Sequence, residues 1–370
     1  MVLSVDQPRS RAARFRELDA LRGLAALAVV LYHLTTFMGD GPGLGGPRAV
    51  SIWWGEYGVQ LFFLISGFVI LLSARRTRRP SDFVISRVSR IYPVYWIALT
   101  AAIALGVGLA VPGLAIPWRD RLLNYTLVQR FLGAANADPV SWTLQIELQF
   151  YMLVLVLLVL TRCRLTDRVA VIAASAWTAV CLIVAALARP HTLGVEPQDV
   201  EAFWKILLNL LLVEWGPLFS AGMTLLLARE TGRRLPALPF LLAPVLDAWL
   251  VRGTRYALCV AVVVAIFAAV TLPHRPIPLL ASRPLLWLGD RSYSLYVAHL
   301  VPIMALLPIL GPALGRGAAT AVLLVGALVL AAVYHRVGEV EATRWMRRML
   351  TALRDRSARP LDGARPAGVR

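Results

Sequence analysis

The chain reads as a series of apolar runs separated by short basic clusters. The runs lie near residues 18–38, 57–73, 91–111, 142–160, 168–188, 204–228, 256–272, 285–310 and 317–335. Each approaches or exceeds the roughly 20 apolar residues that a helix needs to cross a bilayer. A further run, 237–251, is shorter and flanked by proline, and is either a span or a re-entrant or interfacial piece. Basic clusters fall at 9–16, 75–90, 162–168, 229–234 and 344–358. With the N-terminus inside, the first six spans place the clusters at 75–90, 162–168 and 229–234 on the inner face, as the positive-inside rule requires. An even total also places the C-terminal cluster inside, which favours counting 237–251 as a span; nine spans would leave that cluster outside. The pattern therefore predicts an all-α integral membrane protein, a bundle of about ten transmembrane helices with cytoplasmic N- and C-termini, in the cytoplasmic membrane. Residues 1–17 form a basic segment, 18–340 the membrane domain and 341–370 a basic tail, disordered from about Arg356 onward. The opening resembles a signal peptide, but its apolar run is long and lacks a clear cleavage site, so an uncleaved first helix is expected. No internal repeat or broken-helix pair of the kind built into inverted-repeat transporters is evident.

Composition supports lipid as the solvent. Of 370 residues 58% are hydrophobic and only 16% charged, with a mean hydropathy of +0.68, whereas soluble domains carry about 25% charge. The net charge of +17 could suggest nucleic acid, but the cations sit between apolar runs and almost all are arginine, Lys205 being the one lysine. The expected partner is the bilayer and not nucleic acid. Cys163, Cys181 and Cys259 are odd in number and widely spaced, so neither a disulfide framework nor a metal site is expected.

Ionisable residues inside apolar segments are costly and point to function. The first run contains Asp19, Arg22 and His33. Arg22 and His33 are eleven positions apart, about three turns, so they share a face about 16 Å apart along the axis. Asp19 and Arg22 have the spacing to pair. The plainer reading of His33 is a structural histidine bonded to a neighbouring helix. Arg87 and Arg90, at an inner boundary, have the spacing of a phosphate clamp with Arg22 or of ordinary positive-inside charge. Glu147 lies early in the fourth run, five residues after Trp142; it orients His33, binds an acceptor, or is a buried acid paired with an arginine. Ser66 and Gly67 are small mid-helix residues suited to close packing or donor passage. Tyr293, Ser294, Tyr296 and His299 cover one broad helix face, a tunnel lining or a plain helix contact. Glu214 is a polar candidate without an assigned role, and His191, His274 and His335 read as ordinary. Trp53, Trp54 and Trp118 fit an interfacial belt.

Five segments, in order, carry a resemblance: FRELDALRGLAALAVVLYHL (15–34), YGVQLFFLISGFVI (57–70), RVSRIYPVYW (87–96), SWTLQIELQFY (141–151) and WLGDRSYSLYVAHL (287–300). Together they resemble acyltransferase family 3, multi-pass membrane enzymes that O-acylate surface polysaccharides, lipooligosaccharides or macrolides. The resemblance implies that the family's arginine–ten residues–histidine pattern falls on Arg22 and His33, with His33 as catalytic base. Its arginine–two residues–arginine pattern falls on Arg87 and Arg90, and its glutamate after tryptophan on Glu147. The chain departs where the family often has two adjacent acids, here Glu147–Leu148, and near its Glu-x-Pro, here Glu339–Val340–Glu341.

The resemblance implies transfer of an acyl group, by analogy acetyl, from acyl-CoA to a hydroxyl of a carbohydrate or glycosylated acceptor. The donor is a substrate, and no permanently bound cofactor or metal is expected. His33, Glu147 and Arg22 are the catalytic candidates. Arg87, Arg90 and Arg22 are the donor-binding candidates. Asp19, Ser66, Trp142, Tyr293, Tyr296 and His299 are candidates to line an acceptor site or tunnel. A neutral imidazole suits removal of a hydroxyl proton; direct attack and an acyl-histidine intermediate both fit. The competing classes are a transporter using Arg22, His33 and Glu147 as an ion relay, and a non-catalytic scaffold, which leaves the buried Arg22 and His33 unexplained.

Overall fold

The computed structural model describes residues 16–111, 114–195, 199–273 and 277–357. The basic segment before Arg16, His274 and the tail after Ser357 lie outside them. Among the described residues there are helices and turns but no strand.

Among the described residues eight helices are long and apolar enough to cross a membrane, or nine if one bent pair counts as a single span. The first is α1 (Arg16–Tyr32), which passes directly into a π-helical turn, His33–Phe37. The wide turn leaves carbonyls without helical partners, and two arginines take them up. Arg316 donates to the Leu34 carbonyl at 3.0 Å, and Arg48 to those of Thr35 and Thr36 at 3.3 and 3.1 Å. His33 therefore opens a turn that is pinned from two other parts of the chain.

After α2 (Gly58–Ala74), α3 (Pro80–Gly108) starts eleven residues before the predicted run at 91. Pro80 at its first position explains the start. The basic stretch stays helical because Phe83 and Arg87 are buried on one side and Ile85 and Ser89 on the other. Helices α4 (Trp118–Asn124), α5 (Ser141–Leu160) and α6 (Asp167–Thr192) follow.

The predicted single span 204–228 is divided into α7 (Ala202–Leu210) and α8 (Gly216–Thr231). Pro217 accounts for this: it lacks an N–H and its ring opposes the carbonyl four residues earlier. At the break, the Leu211 carbonyl accepts from the Trp177 indole of α6 at 3.0 Å. The proline-flanked segment 237–251 is a full helix, α9 (Leu238–Arg252), followed by α10 (Thr254–Thr271). The predicted span 285–310 is also broken, into α11 (Arg283–Asp290), α12 (Ser292–Ala298) and α13 (Leu300–Leu314). α12 and α13 meet at 53° across His299, with Pro302 opposing the Ala298 carbonyl. The reading that no broken-helix pair is evident is thus corrected: proline accounts for the breaks before Pro217 and at His299, while the break at Arg291 has no proline beside it. α14 (Arg316–Tyr334) continues through a second π-helical turn, His335–Ala342, into α15 (Thr343–Ser357).

Small residues set the closest crossings. A Cβ on Gly222 of α8 would lie 2.0 Å from the Leu64 carbonyl oxygen of α2, and one on Gly67 would lie 2.1 Å from that of Phe219. A Cβ on Gly23 of α1 would lie 2.6 Å from the Gly289 nitrogen of α11. Residues such as Ile172, Leu242 and Leu258 remain more than 60% exposed, as expected of faces turned to lipid.

Ion pairs tie the predicted inner clusters to one end of the bundle. Arg75 bridges Asp167 at 2.8 Å and also pairs with Glu230, while Arg354 of α15 pairs with Asp82 at the start of α3. These pairs mark the basic end of the bundle.

Candidate active site

Two cavities lie within the bundle. The one nearer the basic end, about 80 Å³, is lined by Arg22, Arg87, Arg90, Ser66, Glu147, Tyr151 and Tyr293, among others. The other, about 700 Å³, opens toward the opposite end and is lined by His33, Glu56, Arg130, Trp142, Glu214, Trp215, Arg252 and Tyr256, among others. Val59 and Tyr296 line both. The Tyr296 hydroxyl accepts from Thr143 Oγ1 at 2.9 Å, and its ring meets Phe62 edge-on at 5.5 Å. This tyrosine and its neighbours form the partition between the cavities.

The first cavity collects the three arginines predicted to act together. Arg87 is held by Ser73 and Ser86 at 3.0 and 3.1 Å, between the rings of Phe83 and Tyr151, and its Nε is buried without a partner. Arg22 and Arg90 form no hydrogen bond or ion pair with a described residue. Three guanidiniums with uncommitted donors around one small space make a site for an anionic group. The single carboxylate in it, Glu147, accepts from Ser66 Oγ at 3.1 Å and from the Tyr151 hydroxyl at 2.5 Å. Asp19 lines neither cavity and forms no ion pair with Arg22; its backbone packs against Gly289.

His33 stands in the second cavity, at the junction of α1 and the π-helical turn. Helical π-turns of this kind often mark functional sites. Its Nδ1 lies 2.9 Å from the Val29 carbonyl and 3.1 Å from His299 Nε2. Both are acceptors toward a protonated Nδ1, so a neutral His33 carries its proton there and keeps a lone pair on Nε2. Glu147 lies in the other cavity, so of its alternative readings the one in which it orients His33 falls away; that ring is oriented by a carbonyl and a second histidine. His299 is fully buried and lines neither cavity, standing behind His33.

The remaining candidates divide between the two spaces. Ser66 and Tyr293 face the arginine cavity, the Tyr293 hydroxyl donating to the Ile91 carbonyl at 2.8 Å. Trp142 faces the histidine cavity beside Trp215, with centroids 5.4 Å apart. Ser294 turns away to Glu339, donating from its nitrogen at 3.1 Å and its hydroxyl at 2.6 Å. Glu214, without a role in the sequence, pairs with Arg252 at 3.0 Å on the cavity wall. The sequence offered no sign of Arg252, Arg130, Trp215 or Tyr256, because distant segments bring them together. Tyr151 could have been found: it falls one turn after Glu147 within a quoted motif, at a spacing that makes helix neighbours.

Two of the three interruptions in the spans fall beside the histidine cavity, at Glu214–Trp215 and at His299, next to Leu300. Irregular backbone at membrane depth is tolerated where it lines a cavity or is buried in protein. Fold and site together define an all-α, multi-pass membrane protein with a polar site between two cavities. The chain belongs to the Acyltransferase domain family (acyltransferase family 3), whose model matches residues 15–336. It is 35% identical over 102 residues to the exopolysaccharide production protein ExoZ of Rhizobium meliloti (strain 1021), covering 26% of this chain and 32% of that protein. It is 30% identical over 163 residues to nodulation protein 10 of Rhizobium leguminosarum bv. viciae, covering 39% and 44%. It is 32% identical over 150 residues to acyltransferase MdmB of Streptomyces mycarofaciens, covering 38% of each. The chain thus spans less than half the length of these relatives. No solved structure matches it.

Proposed function

We propose that the protein is an O-acyltransferase of the cytoplasmic membrane. It transfers an acyl group, by family analogy acetyl, from acyl-CoA at the arginine cavity to a hydroxyl of a carbohydrate or glycosylated acceptor in the histidine cavity. The observation that carries this reading is the placement of His33: a neutral imidazole with a free Nε2, on a roomy cavity with polar groups in its wall, one partition away from three arginines that keep uncommitted donors. The arginines and the basic end suit the phosphates of the donor. The small arginine cavity suits the thioester arm, whose carbonyl must then pass Tyr296 to reach His33. The acceptor O–H gives its proton to His33 Nε2 as the oxygen attacks the thioester carbonyl carbon. The C–S bond breaks, and the thiolate takes the proton back from the imidazolium, leaving His33 neutral. Trp142 and Trp215 give the acceptor side apolar faces, and Glu56, Glu214, Arg130 and Arg252 give it polar groups, the mixture that a sugar needs. Two relatives bear names that agree with this, one an exopolysaccharide production protein and one an acyltransferase.

The test is transfer from labelled acetyl-CoA by membranes carrying the wild type or His33→Ala at matched protein level, with cell-surface glycans and glycosylated metabolites as acceptors. General base catalysis contributes about 10²–10⁴-fold, so transfer should fall by at least the lower figure. Undiminished transfer by the variant would remove His33 from the chemistry. Label retained on the protein in the absence of acceptor would replace direct attack with an acyl-enzyme.

A further inference from the structure

We infer that His299 is the positioning residue of the reaction, fixing the tautomer of His33 and sharing the charge of its imidazolium. The inference rests on His33 being the base.

His299 lies at the break between α12 and α13, where its side chain points back along α12. Its Nδ1 is 2.7 Å from the Tyr296 carbonyl and 3.2 Å from that of Leu295. Both are acceptors only, so Nδ1 carries a proton. A neutral His299 then has a lone pair on Nε2, and that atom is 3.1 Å from His33 Nδ1. The order is determined at every step: backbone carbonyl, His299 N–H, His299 lone pair, His33 N–H, His33 lone pair on the cavity. If the first proton is placed otherwise, two lone pairs face each other across a bond-length gap.

Packing alone does not account for the pair. The rings are 4.9 Å apart and inclined at 56°, with nitrogen directed to nitrogen. His299 is 0% exposed, and a buried imidazole without paired nitrogens is costly. No described carboxylate hydrogen-bonds to His33, so His299 takes the place that an acid holds in a Ser–His–Asp triad. When His33 Nε2 accepts the acceptor's proton, the bond from Nδ1–H to His299 Nε2 becomes charge-assisted and shortens. That gain exists only while the imidazolium exists, so it lowers the barrier without tightening substrate binding. The 53° bend at His299 serves this arrangement, because the last turn of α12 supplies the two carbonyls that set the tautomer.

The experiment measures kcat and both KM values for acetyl-CoA-dependent transfer with wild type, His299→Leu, His299→Gln and His33→Ala, each also assayed for thermal stability in detergent. Leu keeps volume and removes the acceptor; the Gln side chain reaches the former Nε2 position with an amide oxygen. His299→Leu should lower kcat on the order of 10²-fold with both KM values changed less than about threefold, and His299→Gln should recover about tenfold of it. A His299→Leu enzyme with wild-type kcat overturns the inference while leaving His33 as base, provided His33→Ala is inactive. Equal loss in Leu and Gln, accompanied by a matching fall in thermal midpoint, overturns it in favour of a packing role. Activity retained by His33→Ala removes the premise itself, and is distinguished by that variant alone.

Discussion

Asp138 shows how a single residue's surroundings control its charge. It lies in the loop before α5, outside the membrane-spanning helices, and is 2% exposed. Its carboxylate accepts from the Val140 nitrogen at 3.3 Å, too little to replace lost water. Burial therefore pushes it up to about 7. The unfolded chain ionises this residue near 3.9. Between these values the folded state binds more protons than the unfolded state, so stability falls as pH rises from about 4 to about 7 and is level beyond. The slope is at most about 1.4 kcal/mol per pH unit. Asp138→Asn abolishes the titration. Thermal midpoints in detergent from pH 4 to 8 should fall less steeply for the variant than for the wild type, and the two curves should separate most above pH 7. Parallel curves would show that the carboxyl is solvated. The neighbouring Pro139 and Val140 line the histidine cavity, so the same loop sets part of the acceptor wall.

At the scale of elements, close crossings decide where the cavities form. α2 carries Ser66 toward the arginines and Gly67 toward α8, and a Cβ on Gly222 would meet the Leu64 carbonyl at 2.0 Å. Gly222→Ala must therefore push α8 away from α2, at a cost of about 1–3 kcal/mol. Gly326 of α14 has nothing within 4 Å of its added Cβ, so Gly326→Ala is the matched control and should be neutral or slightly stabilising. A lowered thermal midpoint for the first and an unchanged one for the second confirm the crossing; equal midpoints refute it. Much at this scale was legible. The apolar runs located the helices, and the motifs drew attention to Arg22, His33, Arg87, Arg90 and Glu147. The interruptions were not seen, although Pro217 and Pro302 stood in the sequence to mark two of them: a window of mean hydropathy passes over a proline that backbone geometry cannot. The division of the polar residues into two cavities was not legible at all. It depends on how α1, α2, α5 and α12 turn toward one another, and no periodicity within one helix records that. The bond from His33 to His299 is hidden for the same reason, since it joins residues 266 positions apart.

For the whole molecule, the important fact is that the two cavities face opposite ends. Arg22, Arg87 and Arg90 gather toward the end where Arg75, Asp167, Glu230, Asp82 and Arg354 are paired. Glu56, Arg130 and Arg252 surround the other cavity. On the proposed function, donor enters from one side of the membrane and acceptor from the other, and Tyr296 yields for acyl transfer between them. The positive-inside rule then predicts the arginine cavity on the cytoplasmic side, the side from which the proposed donor would enter. The prediction concerns access. In a background with Cys163, Cys181 and Cys259 replaced by serine, Glu56→Cys and Arg90→Cys are each exposed to a membrane-impermeant maleimide. Glu56→Cys should react in intact cells, and Arg90→Cys only in inverted membranes, where acetyl-CoA should slow its labelling at least severalfold while leaving Glu56→Cys unaffected. Labelling of both positions from one side would mean that the cavities share a mouth, and donor and acceptor would then enter together. Labelling from opposite sides with protection of Arg90→Cys alone would establish that the acyl group itself crosses the partition at Tyr296, with the nucleotide left behind at the basic end.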